Sequence, residues 1–530
     1  MRDVGEDIPQ SYSIDVASQS SLLQMSDWLT ECHSSHTLCR QEHVEFAPHR
    51  LLLIATAKDE GTVRLTENWQ GLGLKWAALS YVWGGDQSFK STIASVAELK
   101  AGFGVNRLPQ TLKDAVAVCR GLSLEFLWVD SLCIIQDDPK DVARELASMP
   151  QIYRRAWVTI SASNAAGVSD GFLQRRCYVH RSADKDVQAP ISLRYLAKGS
   201  SGGGEVIFLQ PFNQCDRQDE PINERAWTYQ ERHLSPRVLD FKHNQVVLYC
   251  YTNKRCEGGG SLLKWYKGRY QYQSRRNRLC RPYSNLRNLP KWHDILDDYT
   301  KRSLSFPLDK LTALSAIADL YKDHTGHTYL AGLWRETLIY DLCWSNSGEP
   351  LPRSAEYRAP SWSWAAVDRS PIPLRSTALY DPREERKYDK LALVVDVSIE
   401  QNPPDTTFGK IYDGFLTITA PVKWIEWHHD GDLSSTFLKY SRDAQIFWNA
   451  QIFWDASLTD GSVDANVSVL AVLLMCRGYG GDTHCCGLVL VPASPGKYRR
   501  VGFLSHGFYE HAEENIKFYS SFEPQTITII

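Results

Sequence analysis

The chain has 530 residues, of which 43% are hydrophobic and 23% are charged, and its formal net charge is −3. This composition predicts a folded protein of several domains, and the lack of excess basic charge argues against a nucleic-acid partner. The longest apolar run, at residues 467–476, is well short of the roughly 20 residues that a membrane helix needs, so no membrane partner is expected.

The N-terminal residues and the cysteines indicate where the protein works. The first ten residues carry acids and no apolar core, which is not the pattern of a secretory signal. Thirteen cysteines without regular spacing predict reduced thiols and a cytoplasmic location. Cys32, His36 and Cys39 lie close together, with His33 and His43 nearby, but a structural zinc site usually has four ligands in closely spaced pairs, and the fourth ligand here is uncertain. We therefore favour helical packing here over a metal site and predict no metal ligands.

Residues 76–163 predict alternating strands and helices. An apolar run at 76–83 predicts a strand, and Leu112, Val116 and Cys119 form the stripe of an amphipathic helix. A second strand is predicted within 124–135. A second helix is predicted to begin after Asp138, with Pro139 at its first position, and a third strand follows at 156–163. This alternation predicts a parallel sheet in an α/β fold.

Ligands of open parallel sheets bind at the carboxyl ends of the strands. Polar or small residues follow the first two predicted strands, and we take these as candidate binding residues: Ser80, Trp83, Gly84, Asp130, Ser131 and Cys133. Five of them have a structural alternative. Trp83 would fill the core, Ser80 and Gly84 would allow tight packing, and Cys133 would be a core thiol. For Asp130 we slightly favour a capping role over ligand binding.

Several long strings in this region resemble the fungal heterokaryon-incompatibility (HET) domain. They are ALSYVWG, LPQTLKDAV, FLWVDSLCIIQDD and IYRRAWVTISAS, in the family's order, followed by NERAWTYQERHLSPRVLDF at 223–241. YLAGLW and YRAPSWSWAAVD resemble the region that often follows the domain. The resemblance implies a role in nonself recognition and regulated cell death.

HET domains are similar in organisation to TIR domains, some of which cleave NAD at the nicotinamide–ribose bond. The resemblance therefore implies a TIR-like domain with NAD as substrate and no bound cofactor. The position that matches the catalytic glutamate of those enzymes is Glu145, and a solvated or ion-paired glutamate is the alternative. Pro150 follows within the same helix and predicts that the helix ends near Met149.

Other interpretations stay open. One is a non-catalytic signalling module that self-associates, because a fold does not imply an activity. Another is an enzyme of secondary metabolism on a HET scaffold. The expected partners are a small-molecule or nucleotide substrate and a second copy of the chain. Segment 223–237 predicts an ion-paired wall, with Gln230 and Glu231 as an alternative lining of the cleft.

The predicted organisation has five parts, and its last part is an antiparallel β-rich domain because alternating apolar runs dominate there. The parts are an N-terminal extension (1–70), a HET domain (71–250, with its α/β core at about 75–175), a basic linker (251–290), a helical and Trp-rich segment (291–370) and the β-rich domain (371–530).

Overall fold

The fold was obtained as a computed structural model, in which the chain forms two compact units, Met1–Leu289 and Pro290–Ile530. The structure describes residues 15–40, 46–54, 61–67, 74–174, 191–195, 205–209, 220–243, 245–257, 290–345, 352–368, 389–402, 409–428, 436–439, 447–455, 466–479, 482–507 and 521–530. Most of the predicted basic linker, at residues 258–289, lies outside this part of the chain.

The first unit combines helices with a large sheet. Its helices are α1 (Gln19–Ser35), α2 (Val96–Ala101), α3 (Gln110–Gly121), α4 (Asp130–Cys133), α5 (Pro139–Arg155) and α6 (Trp227–Leu234). Its strands are β1 (Arg50–Ile54), β2 (Thr62–Glu67), β3 (Trp76–Ser80), β4 (Phe103–Gly104), β5 (Phe126–Trp128), β6 (Val158–Ser161), β7 (Ile191–Tyr195), β8 (Glu205–Leu209), β9 (Arg237–Phe241), β10 (Val246–Cys250) and β11 (Lys254–Cys256).

Nine of these strands form one mixed sheet, in the order β11-β10-β9-β6-β3-β5-β1-β2-β4, and β7 pairs with β8 in a separate ribbon. The four central strands, β5, β3, β6 and β9, are parallel. The strands outside them pair antiparallel. Every residue of β3, β6 and β9 is buried, as expected for strands covered on both faces. The predicted parallel strands are confirmed, and the whole sheet is mixed.

Helix α5 begins as predicted but does not end where Pro150 suggested. The Asp138 side chain accepts a hydrogen bond from the Lys140 N–H, and a proline occupies the first turn. The helix continues through Pro150 to Arg155, so the predicted end near Met149 is wrong. Ile152 and Tyr153, beyond the proline, are buried on the inner face. The packing of this last turn stabilises the helix against the loss of one hydrogen bond.

The second unit is β-rich, as predicted. Its helices are α7 (Trp292–Tyr299), α8 (Ser315–Thr325) and α9 (Leu338–Asp341). Its strands are β12 (Tyr329–Leu330), β13 (Leu333–Trp334), β14 (Asp389–Lys390), β15 (Leu393–Asn402), β16 (Lys410–His428), β17 (Thr436–Lys439), β18 (Phe447–Trp454), β19 (Asn466–Tyr479), β20 (Asp482–Ser494), β21 (Lys497–Gly507) and β22 (Glu523–Ile529). A small hairpin, β12–β13, precedes a nine-stranded sheet that is antiparallel except where β21 meets β22.

Large aromatic side chains contribute much of the buried apolar surface in the first part of this unit. Four tryptophans there are buried: Trp292, Trp334, Trp362 and Trp364. In the sheet, Cys476 and Cys485 face each other across β19 and β20 and form a disulfide. The expectation of uniformly reduced thiols does not hold for this pair. None of the helices in the described part of the chain combines the length and the apolar sequence needed to cross a bilayer.

Candidate functional site

A cluster of polar side chains lies where the central parallel strands of the first unit end. Ser80 is the last residue of β3, and its hydroxyl donates a hydrogen bond to Glu231 Oε2 at 2.5 Å. Asp130 follows β5, and its Oδ2 accepts from Trp83 Nε1 at 2.8 Å. We call the set the carboxylate cluster, and it comprises Ser80, Tyr81, Trp83, Asp130, Ser131, Tyr153, Arg225 and Glu231.

Hydrogen bonds to backbone and hydroxyl groups fix the two strand ends relative to each other. The Tyr81 hydroxyl donates to Ser131 Oγ at 3.0 Å, which connects the segment after β3 to the start of α4. Arg225 Nη1 donates to the Tyr81 carbonyl at 2.6 Å. The Tyr153 hydroxyl, from α5, donates to the Leu79 carbonyl at 2.9 Å. Helices α4 and α5 and the segment before α6 therefore contribute to one edge of the sheet.

The two carboxyl groups of the cluster differ in exposure. Glu231 is only 5% exposed, whereas Asp130 and Trp83 are half-buried. Burial raises the pKa of Glu231 to about 7; Arg225 and the Ser80 hydroxyl oppose this shift, and the charge of Asp130 adds to it. Desolvation also raises the pKa of Asp130, against Arg225 and the Trp83 hydrogen bond. The site thus holds a carboxyl group that changes its charge near neutral pH.

Gly84 lets the loop that carries Trp83 approach a neighbouring turn. Its φ is +73°, and a Cβ at this position would lie 2.7 Å from the Gly167 Cα. Val168 N donates to the Trp83 carbonyl at 3.3 Å across the same contact. A side chain is therefore excluded by both backbone conformation and space, which supports the packing interpretation of Gly84.

Glu145 belongs to a different group of charges, centred on Arg50. Glu145 is 1% exposed, and its Oε1 lies 3.4 Å from Arg50 Nη2 and 3.7 Å from His49 Nδ1. Arg144 is its remaining ion-pair partner among the described residues. Burial raises the pKa of Glu145, and Arg50 opposes the shift. Its Oε2 accepts no hydrogen bond from the described residues.

Arg50 is buried as well and holds this group together. Its guanidinium forms an ion pair with Asp141, and Nε donates to the Cys133 carbonyl at 2.6 Å. Cys133 is fully buried, and its burial raises the pKa of the thiol to about 12. A thiol with this pKa stays protonated near neutral pH and is a poor nucleophile. Cys133 therefore behaves as the core thiol that was its alternative interpretation.

The family of this segment follows from comparison with known proteins. Residues 76–231 match the family model described as Heterokaryon incompatibility protein (HET). The chain contains a HET domain. No curated protein and no solved structure matches the chain. The match starts with the first residue of β3 and ends on Glu231, so that every residue of the carboxylate cluster lies within the HET domain.

The structure brings together four of the predicted site residues of the HET domain, namely Ser80, Trp83, Asp130 and Ser131. Gly84 is next to Trp83 in the same loop, whereas Glu145 and Cys133 lie around Arg50. The sequence predicts Glu231 as a lining of the cleft only as an alternative to the ion-paired wall, because a Gln-Glu pair on a short helix has no periodic pattern of its own. Its place opposite Ser80 depends on how α6 packs against β3 and β6.

The next residue of α6, Arg232, forms one ion pair of the kind that the predicted wall requires. Arg232 Nη2 lies 2.9 Å from Asp240 Oδ2, and both side chains are buried. Burial would raise the pKa of Asp240, but Arg232 and Lys242 hold it below its ordinary value. Asp240 is therefore ionised and neutralised by cations, unlike Glu231. This contrast makes Glu231 the better candidate for proton transfer in the HET domain.

Proposed function

We propose that this protein is a heterokaryon-incompatibility-type effector whose HET domain binds NAD at the carboxylate cluster and hydrolyses the nicotinamide–ribose bond. The family match supports the heterokaryon-incompatibility-type role. The parallel centre of the sheet, with its polar groups at the carboxyl ends of the strands, supports a TIR-like, nucleotide-binding arrangement. The protein then acts in nonself recognition and cell death, with NAD as substrate and not as a retained cofactor.

The observation that carries the proposal is the pair of carboxyl groups next to an indole at this edge. Asp130 and Trp83 are half-exposed and joined to each other, while Glu231 lies deeper with a pKa of about 7. A buried carboxyl group with a pKa near the working pH is suited to general base catalysis. A half-buried carboxylate beside an aromatic ring is suited to binding a ribose next to a flat, cationic base.

The chemistry assigns a separate task to each group. The bond between ribose C1′ and the nicotinamide nitrogen breaks, and its electron pair leaves with nicotinamide. Asp130 stabilises the positive charge that develops on the ribose. Water adds to C1′, and ionised Glu231 takes its proton, so that the products are ADP-ribose, nicotinamide and one proton. Trp83 stacks on the nicotinamide, and Arg225 pairs with the pyrophosphate.

In this proposal Glu145 is a structural residue and not a catalytic one. Its contacts with Arg50 hold α5 against β1, and α5 also carries Tyr153 of the carboxylate cluster. This assignment differs from the resemblance to TIR enzymes, which points to Glu145 as the catalytic carboxylate. The two assignments predict opposite effects for the same pair of substitutions.

Nicotinamide release by the purified full-length protein tests the proposal. Glu231→Gln and Glu145→Gln are compared with wild type, and Glu125→Gln, an exposed carboxyl group just before β5, is the matched control. We expect Glu231→Gln to lower release at least about 100-fold, as loss of a general base does. Glu145→Gln and Glu125→Gln should keep most of the activity.

Each other outcome has a definite meaning. Loss of release in Glu145→Gln, with Glu231→Gln active, would place the catalytic carboxylate at Glu145 and overturn our assignment. If wild type releases no nicotinamide even at concentrations that allow self-association, the NAD hydrolase proposal is wrong. The non-catalytic module and the metabolic enzyme then become the leading interpretations.

A further inference from the structure

Four potential metal ligands converge beside the sheet, away from the carboxylate cluster. They are Cys32, His36, Cys39 and Cys250, and their ligand atoms all lie within 4.8 Å of one another. The three cysteines are buried and His36 is half-buried. Cys32 lies in the last turn of α1, His36 is its C-cap residue, and Cys39 ends the short 3-10 helix Thr37–Cys39. Cys250 ends β10, 214 residues after His36.

We propose that these four side chains bind one structural zinc ion. Three thiolates and one imidazole are among the usual ligand sets of structural zinc sites, which leave no position open for substrate. The sequence alone favours helical packing, because the six residues between Cys32 and Cys39 are not the short spacing of zinc ligands and the fourth ligand is uncertain. The fold supplies Cys250 as the fourth.

The distances agree with a tetrahedral site. His36 Nδ1 lies 3.4 Å from Cys250 Sγ and 4.0 Å from Cys39 Sγ. Zinc–sulfur bonds of about 2.3 Å and zinc–nitrogen bonds of about 2.0 Å place neighbouring ligand atoms roughly 3.5–3.8 Å apart. All four ligand atoms lie within 4.8 Å of one another, so that rotation of the side chains about their χ angles would bring them to these separations.

Groups around the ligands favour ionised sulfur. Asn253 N–H points at Cys250 Sγ at 3.1 Å, and the turn that carries it is closed by a 2.9 Å bond from Cys250 N to the Asn253 carbonyl. The Thr252 hydroxyl lies 3.6 Å from Cys39 Sγ. Donors to the coordinating sulfurs are the usual outer shell of a zinc–thiolate site. Packing of protonated thiols would not require them.

The ion would fasten two distant segments of the first unit. Helix α1 and the turn after it supply three ligands, and the β10–β11 hairpin at the end of the sheet supplies the fourth. All four ligands lie outside residues 76–231, so the family match says nothing about them. The zinc would join a segment that precedes the matched residues 76–231 to a segment that follows them.

Metal content of the full-length protein tests the proposal. After expression with zinc and purification without chelator, wild type should hold one equivalent by mass spectrometry of the metal. Cys39→Ser and Cys250→Ser should each lose most of it. Cys256→Ser removes another thiol of the same hairpin and should keep the full equivalent.

A second measurement uses wild type alone, in case the variants fail to fold. Cobalt(II) exchanged into the site should give the intense visible absorption and sulfur-to-metal charge transfer of a tetrahedral thiolate complex. Modification of the thiols with a mercurial should release one equivalent of zinc. Wild type that holds no zinc and gives no such cobalt spectrum would overturn the proposal. A disulfide between any two of the three cysteines in the native protein would do the same.

Discussion

At the scale of single residues, Glu231 couples the stability of the fold to pH. Its ordinary pKa is 4.5, and burial raises the value to about 7 in the folded chain. The folded state therefore binds this proton more tightly than the unfolded state does. The resulting contribution to stability is complete below the unfolded pKa and is lost as the pH rises through about 7.

Glu231→Gln removes this dependence, because glutamine keeps the shape of the side chain but never ionises. The free energy of unfolding of the variant, relative to wild type, should rise by about 3 kcal/mol between acidic and mildly basic pH. Urea unfolding of both proteins near pH 4.5 and near pH 8 measures this difference. Glu125→Gln should show almost no such change, since Glu125 is exposed. An equal response of the two variants would show that folding does not raise the pKa of Glu231.

Part of the site is predictable from the sequence, because the end of a buried strand is marked by the change from an apolar run to polar residues. Ser80 and Asp130 each follow a short apolar run, and the parallel arrangement places such residues at one edge. The separation of Glu145 from this edge was not predictable in the same way. A helical position specifies which face a side chain occupies but not which cation the fold brings to it. Arg50 lies 95 residues before Glu145 and faces it only in the folded chain.

At the scale of elements, the contact between α5 and β1 depends on Arg50 more than on Glu145. Arg50→Met removes the cation and leaves Asp141 and Glu145 buried, with half-exposed Arg144 as a weaker partner. Breaking a buried ion pair in this way should cost about 3–5 kcal/mol. Glu145→Gln leaves Asp141 on Arg50 and should cost about 1 kcal/mol or less.

Chemical unfolding of the two variants beside wild type measures the difference. The reason for the asymmetry is that burial opposes the charge of both carboxyl groups but decides the pKa only of Glu145, which is raised. At Asp141 the hydrogen bonds and charge of Arg50 and the Ile135 N–H outweigh burial, and its pKa is lowered. A larger loss of stability in Glu145→Gln than in Arg50→Met would contradict this account. It would make Glu145 the central member of the group.

The end of helix α5 could not be predicted from local sequence preferences alone. Pro150 breaks one hydrogen bond, and by itself that favours ending the helix. Ile152 and Tyr153 lie on the buried face after the proline, and Tyr153 bonds to β3. The proline is visible in the sequence. The burial of Ile152 and Tyr153, which compensates for the lost hydrogen bond, depends on the folded sheet and is not visible there. Tertiary packing therefore decides the length of this helix.

At the scale of the whole molecule, the sheet of the first unit extends beyond residues 76–231, which match the HET family model. The predicted α/β core contains the neighbouring strands β5, β3 and β6, and these are confirmed. Periodicity within one segment does not reveal pairing with distant segments. Strand β1 pairs with β5 from the N-terminal side, and β9 pairs with β6 from the C-terminal side. Both additions cover strands that would otherwise be edges of the sheet.

This topology predicts that residues 76–231 do not fold alone. Without β1 and β9, the fragment would expose the unpaired edges of β5 and β6, which are rich in apolar residues and prone to aggregate. It would also lack Arg50, the buried partner of Asp141 and Glu145. Residues 1–289 contain all nine strands of the sheet and should unfold cooperatively.

Three fragments separate the contributions, with circular dichroism and thermal unfolding as readouts. Fragment 76–231 should be aggregated or without a cooperative transition. Fragment 76–257 regains β9, β10 and β11 but still lacks β1, and it should be less stable than 1–289. A cooperative transition in 76–231 at a temperature close to that of 1–289 would contradict this ranking. It would mean that residues 76–231 form a stable sheet without β1 and β9.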